Sequence, residues 1–372
     1  MAVHVPVLPA HHLDPRLRHH RRGHRRCGRH GHLRPGPGAG GGLSGAVTEP
    51  VESAELDVLR RHWHPVARSD AIDDGPVGVV MLGRPLVVFR SGGKACVASD
   101  RCPHRGSPLS MGSYDGDCLM CPYHGLRYAA DGRCVAFPAR PEARLPKRLT
   151  LDTLHTRECH GLVWACEGEP AADPPDWGFY DRPDVQTFQI GPARWDVSAS
   201  RVAENFNDIA HFSTIHRVTF GPSDRPVAPQ EVTATDTGFT SNISVFQQYR
   251  NTLDGAVEEV EAAYCYDFTF PFSSMLTITY PDGEIECIQM TALPESATSS
   301  LVFQQSARTN LGNDPLEPWR DFQDAVNEED KVICEALQPR QVSFGLDNTG
   351  EVALPTDVFS IAYRRLWKSL RS

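Results

Sequence analysis

Lysine is almost missing from this chain. Of its 37 basic residues only Lys94, Lys147, Lys331 and Lys368 are lysines, a bias that reflects a GC-rich genome rather than a function. Long apolar runs are missing too. The longest, residues 77–82 and 85–89, fall far short of the roughly 20 residues that span a bilayer. No charged-then-apolar leader opens the sequence, so a cytoplasmic protein without a membrane partner is expected. Also missing is a second Cys-x-x-Cys: Cys118 and Cys121 form the single pair of that spacing, which is half of what a zinc ribbon requires.

What is present is ordinary in bulk. A chain of 372 residues, 40% hydrophobic and 23% charged, can bury more than one core and suggests two domains. Eleven cysteines in a chain this long without a leader are not a disulfide framework. Those in apolar or strand-like stretches, Cys166, Cys265, Cys287 and Cys334, are expected as buried thiols. The net charge of −10 conceals an asymmetry. Residues 1–50 carry eight Arg and eight His against Asp14 and Glu49, about +6, which leaves about −16 for the rest. An acidic body is a poor partner for nucleic acid.

Residues 1–46 are His/Arg-rich, then Gly/Pro-rich, without hydrophobic periodicity. They are expected to be a disordered tail, or the product of an over-extended start with initiation near Val47 or Val51. Order is expected from residue 56, with Trp63 as a core anchor. Alternating strands follow around Ser91-Gly92-Gly93 and around Asp131-Gly132, with a last one in "GLVWACEG". They make a small antiparallel β domain over residues 55–170. A proline-rich connection leads to a second domain over residues 185–372. There "SASRVAENFNDIAHFSTIH" has helical spacing, and Tyr264, Tyr266, Phe268 and Phe270 share one strand face. A long amphipathic helix ends before Pro339. The fold class is α+β, an antiparallel sheet gripped by helices.

The chemistry is concentrated in "CPHRG" and "CPYHG", which supply Cys102, His104, Cys121 and His124. Two Cys/His pairs are the ligand set of a [2Fe–2S] cluster with thiolates on one iron and imidazoles on the other. Neutral imidazoles raise its potential and make it an electron relay. Pro103, Gly106, Pro122 and Gly125 supply the tight turns such loops need. Zinc would leave the Cys102/His104 pair unexplained, and Cys118 is then a bystander. A second constellation, Asp208-x-x-His211-x(4)-His216, offers two imidazoles to a non-haem iron whose carboxylate ligand lies elsewhere. Glu328, Glu329, Asp330 and Glu335 are candidates for it.

With both motifs read, the chain from about residue 55 to 370 resembles the Rieske non-haem iron oxygenases. "CPHRG…CPYHG" matches the family's cluster loops, "ENFNDIAHFSTIH" its iron-binding helix and "EEDKVICEALQP" its late acidic segment. The ending "LPTDVFSIAYRRLWKSL" is similar to the branch of vanillate demethylase and the shellfish-toxin hydroxylases. The resemblance implies one [2Fe–2S] cluster and one Fe(II) per subunit, the Fe(II) on His211, His216 and Asp330. It implies a homotrimer in which Asp208 bridges one subunit's cluster histidine to the neighbour's iron histidine. Glu204 and Asn205 fall to the second shell or the subunit contact. The implied activity is a monooxygenase that uses O₂ and electrons from a separate ferredoxin or flavin reductase fed by NAD(P)H. It would hydroxylate or oxidatively demethylate a small organic molecule, in secondary metabolism or catabolism. Oxidative cyclisation or N-oxygenation, and an electron carrier without oxygenase activity, are the alternatives. Phe268, Phe270, Met275 and Thr277 are candidate pocket walls.

Overall fold

The computed structural model describes residues 49–221, 225–250, 257–309, 315–342 and 350–370. The tail expected over 1–46 lies outside them. Helix α1 (Ser53–Leu59) leads into ten short strands: β1 (His64–Arg68), β2 (Val77–Met81), β3 (Arg84–Ser91), β4 (Lys94–Ser99), β5 (Ser113–Tyr114), β6 (Leu119–Met120), β7 (Arg127–Tyr128), β8 (Cys134–Ala136), β9 (His155–Cys159) and β10 (Leu162–Cys166). They form three antiparallel sheets of order β1-β10-β9, β2-β3-β4 and β5-β6-β7-β8. The hairpins turn where Gly was read, at Gly92-Gly93 and Gly132, all at positive φ.

A larger unit follows: β11 (Val185–Trp195), α2 (Ala199–Phe206), α3 (Phe212–Ile215), β12 (Glu231–Ala234), β13 (Gly238–Arg250), β14 (Val257–Thr269), β15 (Ser273–Thr279), β16 (Ile285–Ser296), β17 (Ser299–Thr309), α4 (Glu317–Ala336) and α5 (Val358–Leu370). Its strands pair antiparallel in the order β11-β17-β16-β15-β14-β13-β12. The α+β expectation holds.

Alternation dictates β14. Ala262, Tyr264, Tyr266, Phe268 and Phe270 are buried while Glu259, Glu261 and Ala263 are exposed, the period-2 pattern of a strand covered on one face. The buried face splits in two. Phe268 and Phe270 meet Tyr363 and Trp367 of α5, with ring centroids 5.3 and 4.8 Å apart. Tyr264 and Tyr266 instead line a cavity.

The strip before β11 is not a loose tether. Trp177 is buried against Trp164, centroids 5.4 Å apart. Trp63, Val66 and Trp164 share one core cluster with Leu293 and Phe303 of the large sheet. The sheet β1-β10-β9 therefore leans on the large sheet through apolar contact, while Cys102 and Cys121 sit in a separate core with Leu109, Leu126 and Tyr128.

The continuous helix expected across residues 198–216 is broken. Asn207, fully buried, donates its amide to Ala203 O and to Ser274 Oγ, both at 2.8 Å. That ends α2 and pins its last turn to β15. Ten cysteines are free among the described residues, and Cys265 is half-buried rather than buried.

Trp367 is fully buried under Phe270 and Phe272. Trp367→Ala should lower the unfolding free energy by about 3–5 kcal/mol, read as a fall in the urea midpoint.

Candidate metal centres

The two cluster loops are built alike. In the first, Gly106 N donates to Cys102 O at 2.8 Å and Cys102 N to Ser107 O at 2.9 Å; in the second, Gly125 N donates to Cys121 O at 3.0 Å and Cys121 N to Leu126 O at 2.9 Å. Gly106 (φ +74°) and Gly125 (φ +68°) occupy the left-handed region that a side chain would strain. This repeat puts the two histidine rings beside each other, centroids 4.5 Å apart. The thiols of Cys102 and Cys121 are buried at 2% exposure, while His104 is exposed and His124 half-buried. Soft donors inside and imidazoles at the rim suit a cluster that passes electrons outward. Cys118 lies just before the second loop with its thiol against Arg127. Tyr128 was not singled out in the sequence, yet its hydroxyl lies 3.2 Å from Cys102 Sγ. Burial pushes that phenol's pKa up, so it stays protonated and would donate to Cys102 Sγ when that sulfur is a metal-bound thiolate.

The break after α2 prepares the second site. Asp208 Oδ1 accepts from Ala210 N at 2.9 Å, closing a turn that swings His211 inward. His211 Nε2 and His216 Nε2 are 3.2 Å apart, and Asp330 Oδ1 lies 3.4 and 3.3 Å from them. A divalent ion about 2.1 Å from three donors at near-right angles needs them about 3 Å apart. The triangle fits such an ion, and one face of it is open to the cavity. Asp330 is opposed by burial, but hydrogen bonds from His211 and His216 hold its pKa at about 2. Burial also opposes charge on His211, and Asp208 with Asp330 outweighs it, raising that imidazole to about 9. A metal entering the triangle would displace that proton.

Each imidazole is held from behind. His211 Nδ1 pairs with Asp208 Oδ2 at 3.1 Å, and His216 Nδ1 with Glu329 Oε2 at 2.8 Å. Asn205 Nδ2 donates to Asp330 Oδ1 at 3.2 Å. Glu204 points elsewhere, into a bidentate pair with Arg364 at 2.6 and 2.9 Å. Of the other acids read on α4, Glu335 accepts from Asp196 N at 2.9 Å and Glu328 is exposed.

The triangle opens on a cavity of about 590 Å³ between the sheet and α4. Helix positions Trp319, Phe322, Gln323, Val326, Asn327 and Asp330 form one wall, the three-to-four spacing of a single helix face. The expected wall residues Phe268, Phe270, Met275 and Thr277 are not among those lining it. The sheet wall is formed by Tyr266, Leu276 and Ile288, and one row further by Tyr264, Ile278, Glu286 and Arg308. On β15 the parity is therefore opposite to the expected one.

Comparison with known proteins agrees with this arrangement. Residues 62–154 match the Rieske [2Fe-2S] domain and residues 195–372 the vanillate O-demethylase oxygenase C-terminal domain. The chain belongs to the Rieske non-haem iron oxygenases. Methylxanthine N1-demethylase NdmA of Pseudomonas putida is 28% identical over 87% of this chain and 93% of that protein. The oxygenase component of dicamba O-demethylase from Stenotrophomonas maltophilia is 34% identical, over 44% of this chain and 49% of that protein. The solved structure of NdmA superposes with a TM-score of 0.74, at 27% identity over 86% of this chain and 92% of that one. This Rieske oxygenase is thus an oxidoreductase that carries a [2Fe–2S] cluster and oxidises a small organic molecule.

With Cys102 as a cluster ligand, Tyr128→Phe would remove a donor to its sulfur and should lower the potential. A difference of about 1 kcal/mol between redox states is roughly 40 mV for one electron. A redox titration of the visible spectrum reads it, and an unchanged potential sinks the assignment.

Proposed function

We propose that this protein is the oxygenase component of a monooxygenase system that removes a methyl group from nitrogen or oxygen of a small organic molecule. The observation that carries this reading is the triangle of His211, His216 and Asp330, with donor atoms 3.2–3.4 Å apart, opening on a cavity of about 590 Å³. That volume suits a guest of small-molecule size. Demethylation is favoured over the alternatives by the relatives, whose names give N-demethylation of methylxanthines and O-demethylation of dicamba.

In this reading Cys102, His104, Cys121 and His124 hold the cluster, and His211, His216 and Asp330 hold one Fe(II). When bound, these groups supply electron transfer and activation of O₂. The chain's own residues do the rest. Asp208 and Glu329 orient the imidazoles. Leu276, Ile288 and Phe322 keep the space beside the triangle apolar, so that water is excluded while a C–H bond is held there. The overall change is R–CH₃ + O₂ + 2 e⁻ + 2 H⁺ → R–CH₂OH + H₂O. With R bonded through N or O, the product collapses to R–H and formaldehyde.

Electrons come from NAD(P)H through a separate reductase. Asp208 keeps about a third of its side chain exposed while backing the half-buried His211 imidazole, which suits a bridge to a neighbouring subunit in a homotrimer. Among the described residues no helix is long and apolar enough to cross a membrane, and we place the protein in the cytoplasm.

Two measurements test the reading. The loaded protein should contain two cluster irons and one mononuclear iron per chain, and with a reductase should release formaldehyde from a panel of N-methyl and O-methyl compounds. Two irons and no substrate-dependent O₂ uptake would make it an electron carrier. Asp208→Asn should keep both metals yet lose turnover at least about tenfold; full activity would remove the bridging role.

A further inference from the structure

Four acids of one helix, Glu328, Glu329, Asp330 and Glu335, compete in the sequence for a single role at the iron. The structure separates them. Asp330 enters the triangle, Glu335 serves a backbone amide and Glu328 faces solvent. Glu329 lies on the far side of His216, away from the triangle. Its Oε2 accepts from His216 Nδ1 at 2.8 Å and from Thr219 Oγ1 at 2.8 Å.

The geometry points to Glu329 as a positioning residue for the metal, acting through His216. The inference rests on the reading that the triangle holds Fe(II). A neutral imidazole carries one proton and one lone pair, so a fixed acceptor at Nδ1 keeps the proton there and leaves the Nε2 lone pair facing inward. His216 is 1% exposed. Without Glu329, its Nδ1–H would lack this acceptor in a site closed to bulk water. The ring would then lose both its tautomer preference and its orientation. Thr219 fixes the carboxylate in turn, and its side chain also lines the cavity. Support from the second shell of this kind is worth about 10–100-fold in metal affinity. Asp208 supports His211 in the same way, but Asp208 is the proposed bridge between subunits. Among the described residues Glu329 hydrogen-bonds only to His216 and Thr219, so its role separates from electron delivery.

The test uses the full chain with its cluster intact and Fe(II) as the probe. Loss of Fe(II) to an excess of a ferrous chelator is timed for the wild type, Glu329→Leu, Glu329→Gln and Glu328→Gln. Electron paramagnetic resonance of the nitric oxide adduct is recorded for each. Glu329→Leu should release Fe(II) about 10–100-fold faster and change the nitrosyl spectrum, with the cluster absorption unaltered. Glu329→Gln keeps one acceptor oxygen and should fall between, and Glu328→Gln should match the wild type. Wild-type release and an unchanged nitrosyl spectrum in Glu329→Leu overturn the inference. If that variant fails to fold, the same result in Glu329→Gln overturns it. A wild type that keeps its cluster but binds no Fe(II) removes the underlying reading instead.

Discussion

Two imidazoles and a carboxylate have to meet edge to edge inside the protein, and that requirement governs the catalytic half of this chain. Burying such groups is costly unless every polar atom has a partner. Here both nitrogens of each ring are used, one inward at 3.2–3.4 Å and one outward on Asp208 or Glu329. Asp330 is kept charged because two rings share it. The contributing residues come from a short broken segment and from a helix more than a hundred positions later. Their meeting depends on α4 lying at a set height over the sheet. Gln304 of β17 sets that height through its amide: it donates to Gln323 at 3.0 Å, two turns before Asp330, and accepts from Asn327, one turn before it.

The second constraint is that the helix carrying Asn205 must not shift. α2 is held at its far end by Asn207 and along its length by Arg201 and Glu204, which meet Arg364 of α5 and Glu351. Buried ion pairs of this kind contribute little net stability compared with apolar replacements. What they contribute here is register, because Arg364 engages both Glu204 oxygens at once. Apolar packing supplies the cohesion: α5 brings Phe359, Tyr363 and Trp367 under the sheet, and Leu293 and Phe303 anchor Val66 of β1 and Trp164 of β10 on its other side.

How much was legible in the sequence follows from how local each feature is. The cluster tetrad could be read because each loop is a self-contained turn whose Cys, His, Pro and Gly are neighbours in sequence. The strands of β14 could be read because one face is wet. The residues alone left the carboxylate open among four acids, and Asp330 was named only through the resemblance. Consecutive helix residues point about 100° apart, so Glu328, Glu329 and Asp330 face three directions, and only the tertiary contact chooses. The pocket walls were misplaced although their parity was legible. On β15 Ser274, Leu276 and Ile278 are buried while Met275, Thr277 and Thr279 are less so, so the alternation Leu-Thr-Ile-Thr already marked the cavity face and Met275 and Thr277 lie on the other one. The break at Asn207 was hidden, since its cause is Ser274, on a strand 67 residues away.

The sheet wall of the cavity divides into an apolar row and a charged row. Along the sheet wall, the row Tyr266, Leu276 and Ile288 lies nearer the triangle, and the row Tyr264, Ile278, Glu286 and Arg308 lies two residues further along each strand. Two residues of strand are about 6.7 Å, roughly the length of a small ring with one substituent. Charge is therefore held one row, and so about that length, beyond the Tyr266, Leu276 and Ile288 row. Arg308 is balanced there by Glu284 and stacks over Trp319 at 3.9 Å. Charge placed nearer would bring water with it, and it would compete with the open side of the triangle. The charged pair Glu286 and Arg308 thus sits one row from the apolar pair Leu276 and Ile288 by strand geometry alone. That arrangement lets a single row of side chains change which molecule is accepted without disturbing His211, His216 or Asp330.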